Sequence, residues 1–111
     1  MNTHVFSSLS ALSLALLLIS LTACSSAEDM VGEWTLESQG RYTRLVLNEG
    51  GDVDIYTRSG PAGTGQWTFN GSSNVLRIEF DGASWSGIHS SGSLAFQSKG
   101  RDPTIYRKSE F

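Results

Sequence analysis

Cysteine occurs once in this chain of 111 residues, at Cys24, so no intrachain disulfide can form. Small exported domains often rely on disulfides; here packing and sheet hydrogen bonds must hold the fold instead. Proline is confined to Pro61 and Pro103. Residues 1–27 contain no Asp, Glu, Lys or Arg, so the formal net charge of −3 arises entirely after them. Arg41, Arg44, Arg58, Arg77, Lys99, Arg101, Arg107 and Lys108 are scattered. They form neither the basic face that nucleic acid requires nor a polybasic stretch for anionic lipid. His89 is the sole histidine after Cys24. With no second histidine or thiol beside it, it cannot complete a zinc site or a nucleophile dyad. The serines follow no Gly-x-Ser-x-Gly elbow. No stretch after Cys24 keeps helical periodicity over three turns, so no phosphate-binding glycine loop opens onto a helix. These absences argue against an enzyme and against a nucleic-acid partner. They imply no cofactor and no metal.

What is present begins with Leu9–Leu21, an apolar run with interspersed serine. Its length suits a signal-peptide core and is short for a membrane span, which takes about 20 apolar residues. The run ends in Leu21-Thr22-Ala23-Cys24, which resembles the bacterial lipobox. That resemblance implies a helical signal peptide over 1–23, cleavage before Cys24 and a diacylglyceryl group on the Cys24 thiol, with palmitate among the acyl chains. Two or more acyl chains anchor a protein stably. Residues 24–30 then form the lipidated N-terminus and a short linker. Ser25, where an aspartate would signal inner-membrane retention, implies an outer-membrane lipoprotein facing the periplasm if the source is Gram-negative. The partner so implied is the membrane, through the anchor.

From Cys24 onward 88 residues remain, enough for one modest core. Period-two alternation bounded by glycine-rich turns predicts eight short strands near 33–38, 41–48, 52–58, 65–70, 74–81, 83–88, 93–98 and 103–108. Asn48-Glu49-Gly50-Gly51 reads as a turn, because glycine reaches positive φ without steric cost. Ser59-Gly60-Pro61-Ala62-Gly63 reads as a loop. The predicted inward residues are Trp34, Leu36, Leu45, Leu47, Val53, Ile55, Trp67, Phe69, Leu76, Ile78, Phe80, Trp85, Leu94, Phe96 and Ile105. The fold class is all-β. Closing the meander into a small antiparallel up-and-down barrel over 31–108 removes its exposed edges. Eight strands enclose room for side chains or for one small ligand. Asp52 and Asp54, on one face of one strand, could do acid–base work or take Ca²⁺ with Asn48 and Glu49, but exposed carboxylates beside a turn usually serve solvation.

An internal echo is visible. Gly32-Glu33-Trp34-Thr35-Leu36 recurs as Gly65-Gln66-Trp67-Thr68-Phe69, displaced by 33 residues, and Ile55 meets Ile88 at the same displacement. A half-barrel duplication would produce this, and so would similar strands meeting similar packing demands.

Gly32-x-Trp34 on the first strand and Arg107 on the last resemble the lipocalin-like small barrels, over about 31–108. The resemblance implies a barrel base in which Arg107 packs across the Trp34 indole beside Gly32, and a possible small apolar ligand. A second resemblance covers 86–108: Ser86-Gly87, Gly92, then Phe96-Gln97-Ser98-Lys99-Gly100-Arg101-Asp102-Pro103-Thr104-Ile105-Tyr106. It is similar to the C-terminal half of membrane-bound inhibitors of c-type lysozyme. That resemblance implies a protein partner met by Ser86, His89 and Lys99. Taken together, the sequence describes a monomeric, lipid-anchored, non-enzymatic binding protein of the cell envelope, with lysozyme inhibition as the alternative.

Overall fold

A computed structural model of the chain describes residues 26–109. The expected signal peptide and Cys24 lie outside the described residues. One 3-10 turn, Ala27–Met30, precedes eight strands: β1 Gly32–Leu36, β2 Tyr42–Leu47, β3 Asp52–Thr57, β4 Gly60–Asn70, β5 Val75–Phe80, β6 Ala83–Ser90, β7 Ser93–Phe96 and β8 Thr104–Lys108. Each pairs antiparallel with the next, and β8 returns to β1 to close the barrel. The all-β up-and-down architecture expected from the alternation is therefore the one observed. At one end, the base, lie the 3-10 turn and the β2–β3, β4–β5 and β6–β7 turns. At the other, the mouth, lie residues 37–41, 58–59, 81–82 and 97–103.

The alternating apolar residues fill the interior. Trp34, Leu45, Leu47, Val53, Ile55, Trp67, Leu76, Ile78, Leu94, Phe96 and Tyr106 form one cluster, and Met30 plugs it from below. Among the described residues no polar or charged side chain is buried. Each fully buried leucine or isoleucine stabilises by about 1.5–3 kcal/mol. Met30, which the sequence places in the linker, belongs to this core and is wholly buried.

The base is tied together around Trp34. Its indole N–H donates to the Met30 carbonyl at 2.9 Å. The Lys108 ammonium donates to the Asp29 carbonyl at 2.6 Å and lies 5.9 Å from the Trp34 ring centroid. The two carbonyls ending the 3-10 turn thus find donors, as helix-end carbonyls must. At Gly32 a methyl group would sit 3.2 Å from Cε of Lys108, so the glycine leaves room for the lysine stem.

Three sequence expectations need correction. Ile105 faces outward and Tyr106 inward, because apolar residues occupy both parities of β8 and a one-residue slip exchanges the faces of a strand. Arg107 consequently lies on the outer surface, where its Nε meets Glu37 Oε1 at 2.6 Å; Lys108, not Arg107, crosses Trp34. The segment 59–63 is not a loop beyond Ser59, since β4 starts at Gly60 and pairs with β3 through Gly60, Pro61 and Gly63. The register shift opposite Ile55 and Tyr56 leaves Ala62 as a bulge in β4, beside which Pro61, lacking an N–H, is tolerated. Finally, the 33-residue echo is no half-barrel duplication. It relates β1 to β4, which run in opposite directions, and it matches buried Ile55 with Ile88, which is 59% exposed.

Trp34 is wholly buried and hydrogen-bonded, whereas Trp85 is half-buried and lies at the mouth. Trp34→Ala should cost about 3–5 kcal/mol, and Trp85→Ala distinctly less. Urea melts of the two variants compare them directly; equal losses would show that the base has no special place in stability.

Candidate functional site

At the mouth the filling is incomplete. A cavity of about 180 Å³ opens there between the 37–41 and 97–103 connections. Leu45 and the rings of Tyr42, Trp85, Phe96 and Tyr106 line its apolar part; Gly40, Arg41, Ser98 and Thr104 complete the lining. Four elements supply the rings: β2, β6, β7 and β8. Tyr42 and Trp85 lie 5.2 Å apart at an interplanar angle of 31°. Phe96 meets Tyr106 edge to face at 5.6 Å, and Phe80 approaches both Tyr42 and Trp85 from behind. Such offset and edge-to-face pairs each add roughly 0.5–1.5 kcal/mol beyond area burial.

Small residues on neighbouring strands make this crowding possible. A methyl group on Gly87 would sit 2.8 Å from the Phe96 ring, and one on Gly63 would sit 2.9 Å from Phe80. Gly87 in β6 and Gly63 in β4 are thus the floor on which the mouth aromatics rest. Tyr42 escapes period-two reasoning because the register shifts between Tyr42 and Arg44. That bulge leaves Thr43 without a partner and turns Tyr42 toward the interior. Tyr106 escapes it through the β8 register described above.

The tryptophans divide by their N–H groups. Those of Trp34 and Trp67 donate to main-chain carbonyls, of Met30 at 2.9 Å and Asn48 at 3.0 Å. Trp85 makes no such bond among the described residues. Two tryptophans therefore pin the base, and the third borders the cavity with an uncommitted donor.

The residues singled out in the sequence do not converge. Ser86 and His89 lie on opposite faces of β6, Ser86 outward and His89 inward, where His89 meets Trp34 edge to face at 5.9 Å. Lys99 lies on the 97–103 connection at the mouth, whereas His89 packs at the base. Gly32 and Trp34 do come together at the base, with Lys108. Asp52 and Asp54 are already engaged: Asp54 accepts from Asn48 and Thr64, both at 3.0 Å, and Asp52 accepts from Gln66 at 3.2 Å. Among the described residues no cluster of metal-ligating side chains occurs. Comparison with protein-family models, curated proteins and solved structures found no match.

The Tyr106 hydroxyl donates to the Tyr42 carbonyl at 2.6 Å, fastening β8 to the start of β2 across the cavity. Burial, with a smaller contribution from Tyr42, pushes this phenol from the ordinary value of 10.0 up to about 12. Near pH 10 the unfolded chain loses this proton while the folded barrel keeps it. The stability it contributes is thus complete below pH 10 and is lost as pH rises toward 12. Tyr106→Phe should start less stable, because the Tyr42 carbonyl loses its donor, yet decline less steeply across that window. Parallel urea midpoints for wild type and variant would argue that other groups govern the alkaline transition.

Proposed function

We propose that this chain is a non-enzymatic binding lipoprotein of the cell envelope, anchored through lipid on Cys24 and receiving one small apolar group in the barrel mouth. In a Gram-negative cell its place is the outer membrane, facing the periplasm. The observation that carries the reading is the aromatic cavity at the open end of a barrel that is elsewhere filled. Its volume, about 180 Å³, falls below the usual range of roughly 300–1,000 Å³ for drug-sized ligands. It suits a single ring or a short aliphatic end, not a whole lipid.

Tether and mouth lie at opposite ends. The described chain starts at Ser26 beside the base, and two residues of extended chain reach at most about 7 Å. A lipid on Cys24 therefore holds the base against the membrane and turns the mouth away from it, toward soluble ligands. The non-enzymatic reading draws support from Asp52 and Asp54, whose carboxylates are occupied by neighbouring side chains. Lysozyme inhibition finds no comparable support. Ser86 is mid-strand, and the adjacent β6–β7 connection is a tight turn at Ser91-Gly92 with no protruding loop.

Two measurements test the proposal. Cys24→Ala should abolish membrane fractionation and fatty-acid labelling; label persisting in that variant would refute the anchor. Benzyl alcohol, titrated into the labelled full chain in nanodiscs, should move the Trp85 indole N–H resonance saturably and leave those of Trp34 and Trp67 in place. Movement of all three, or of none, would remove the mouth as a receptor.

A further inference from the structure

If the mouth receives a small group, as proposed above, its polar lining sets what that group carries. Donors border the cavity: the Arg41 guanidinium, the Ser98 and Thr104 hydroxyls, and the Trp85 indole, whose N–H makes no hydrogen bond among the described residues. Among the described residues no carboxylate lines it. A main-chain acceptor beside it, the Tyr42 carbonyl, is taken by the Tyr106 hydroxyl at 2.6 Å.

The charges are arranged to match. Arg44, Arg77 and Arg107 each face a glutamate on the outer surface, whereas Arg41 forms no ion pair among the described residues. Lys99 and Arg101, on the 97–103 connection, add cations at the same end. Of the carboxylates there, Glu37 is engaged by Arg107, and Asp81 and Asp102 stand outside the cavity lining. The Arg41 guanidinium lies 5.5 Å from the centroid of the Tyr42 ring. An anion entering the mouth thus meets a cation held by a ring and not by a carboxylate among the described residues, and the planar fork of that cation suits a carboxylate.

Size and surface narrow the remainder of the ligand. An apolar cavity of about 150 Å³ accepts a benzene ring, and this one, at about 180 Å³, has space for one ring and little more. Its walls are themselves rings, which favour offset or edge-on contact with another. We propose that the mouth binds a small monocarboxylate bearing one aromatic ring, with the ring among Tyr42, Trp85 and Phe96 and the carboxylate on Arg41.

The test compares benzoate with benzyl alcohol, which share a ring and differ in charge. The full chain is held in nanodiscs of zwitterionic phosphatidylcholine, so that the bilayer does not repel the anion. Binding is followed at the Trp85 indole N–H resonance. Benzoate should bind at least tenfold more tightly than benzyl alcohol. In Arg41→Gln that preference should shrink to less than threefold. Equal affinities in the wild type, or a preference that survives Arg41→Gln, would overturn the carboxylate assignment while leaving the mouth as an apolar receptor. If neither compound moves the Trp85 resonance, the carboxylate assignment and the receptor reading fall together.

Discussion

The seam between β1 and β8 is the contact on which the remaining structure depends. Trp34 stands opposite Lys108 there, and Leu36 opposite Tyr106. This register removes both sheet edges and so satisfies backbone groups that would otherwise invite pairing with another chain. It also brings Lys108 over the base and Tyr106 under the mouth. A slip by one residue would expose the phenol and drive Arg107 into an interior that holds no buried polar partner. Burying an unpaired guanidinium is far costlier than leaving it beside Glu37 in water. One register choice thereby closes the barrel, seals its base and shapes its open end.

The two ends are built from similar residues put to different use. At the base, Trp34 and Trp67 are fully packed and their N–H groups are consumed by main-chain carbonyls. At the mouth, glycines let Phe80 and Phe96 lie close to the sheet, and the rings gather there without filling all the space. The result is a barrel packed closely around Trp34 at one end and left with an aromatic-lined cavity at the other.

Period-two alternation made the strand count, the barrel and most of the core legible, because side chains in a strand must point alternately in and out. Leu45, Leu47, Val53, Ile55, Leu76, Ile78 and Leu94 obey it without exception. The resemblance carried by Gly32-x-Trp34 implied Arg107 across the indole, whereas Lys108 lies there and Arg107 pairs with Glu37. The lipobox-like stretch carries the proposed export and anchoring independently of the fold. Its motif is read by processing enzymes as a linear sequence, so no tertiary contact is needed to recognise it.

The mouth was not legible, for a definite physical reason. Tyr42 reaches the cavity through a bulge, Tyr106 through a register that apolar residues at both parities leave open, and Gly63 and Gly87 through the rings that lie over them. Bulges, register and ring–glycine contacts depend on which strands become neighbours, and that is decided when the chain closes on itself. The sequence by itself determined an all-β chain with an alternating core and one cysteine in a lipobox-like setting. Tertiary structure decided which aromatic residues are pinned, which one lacks a hydrogen bond among the described residues, and where space remains beside Arg41. Those properties belong to pairs of residues distant in the chain, and alternation along one strand carries no information about them.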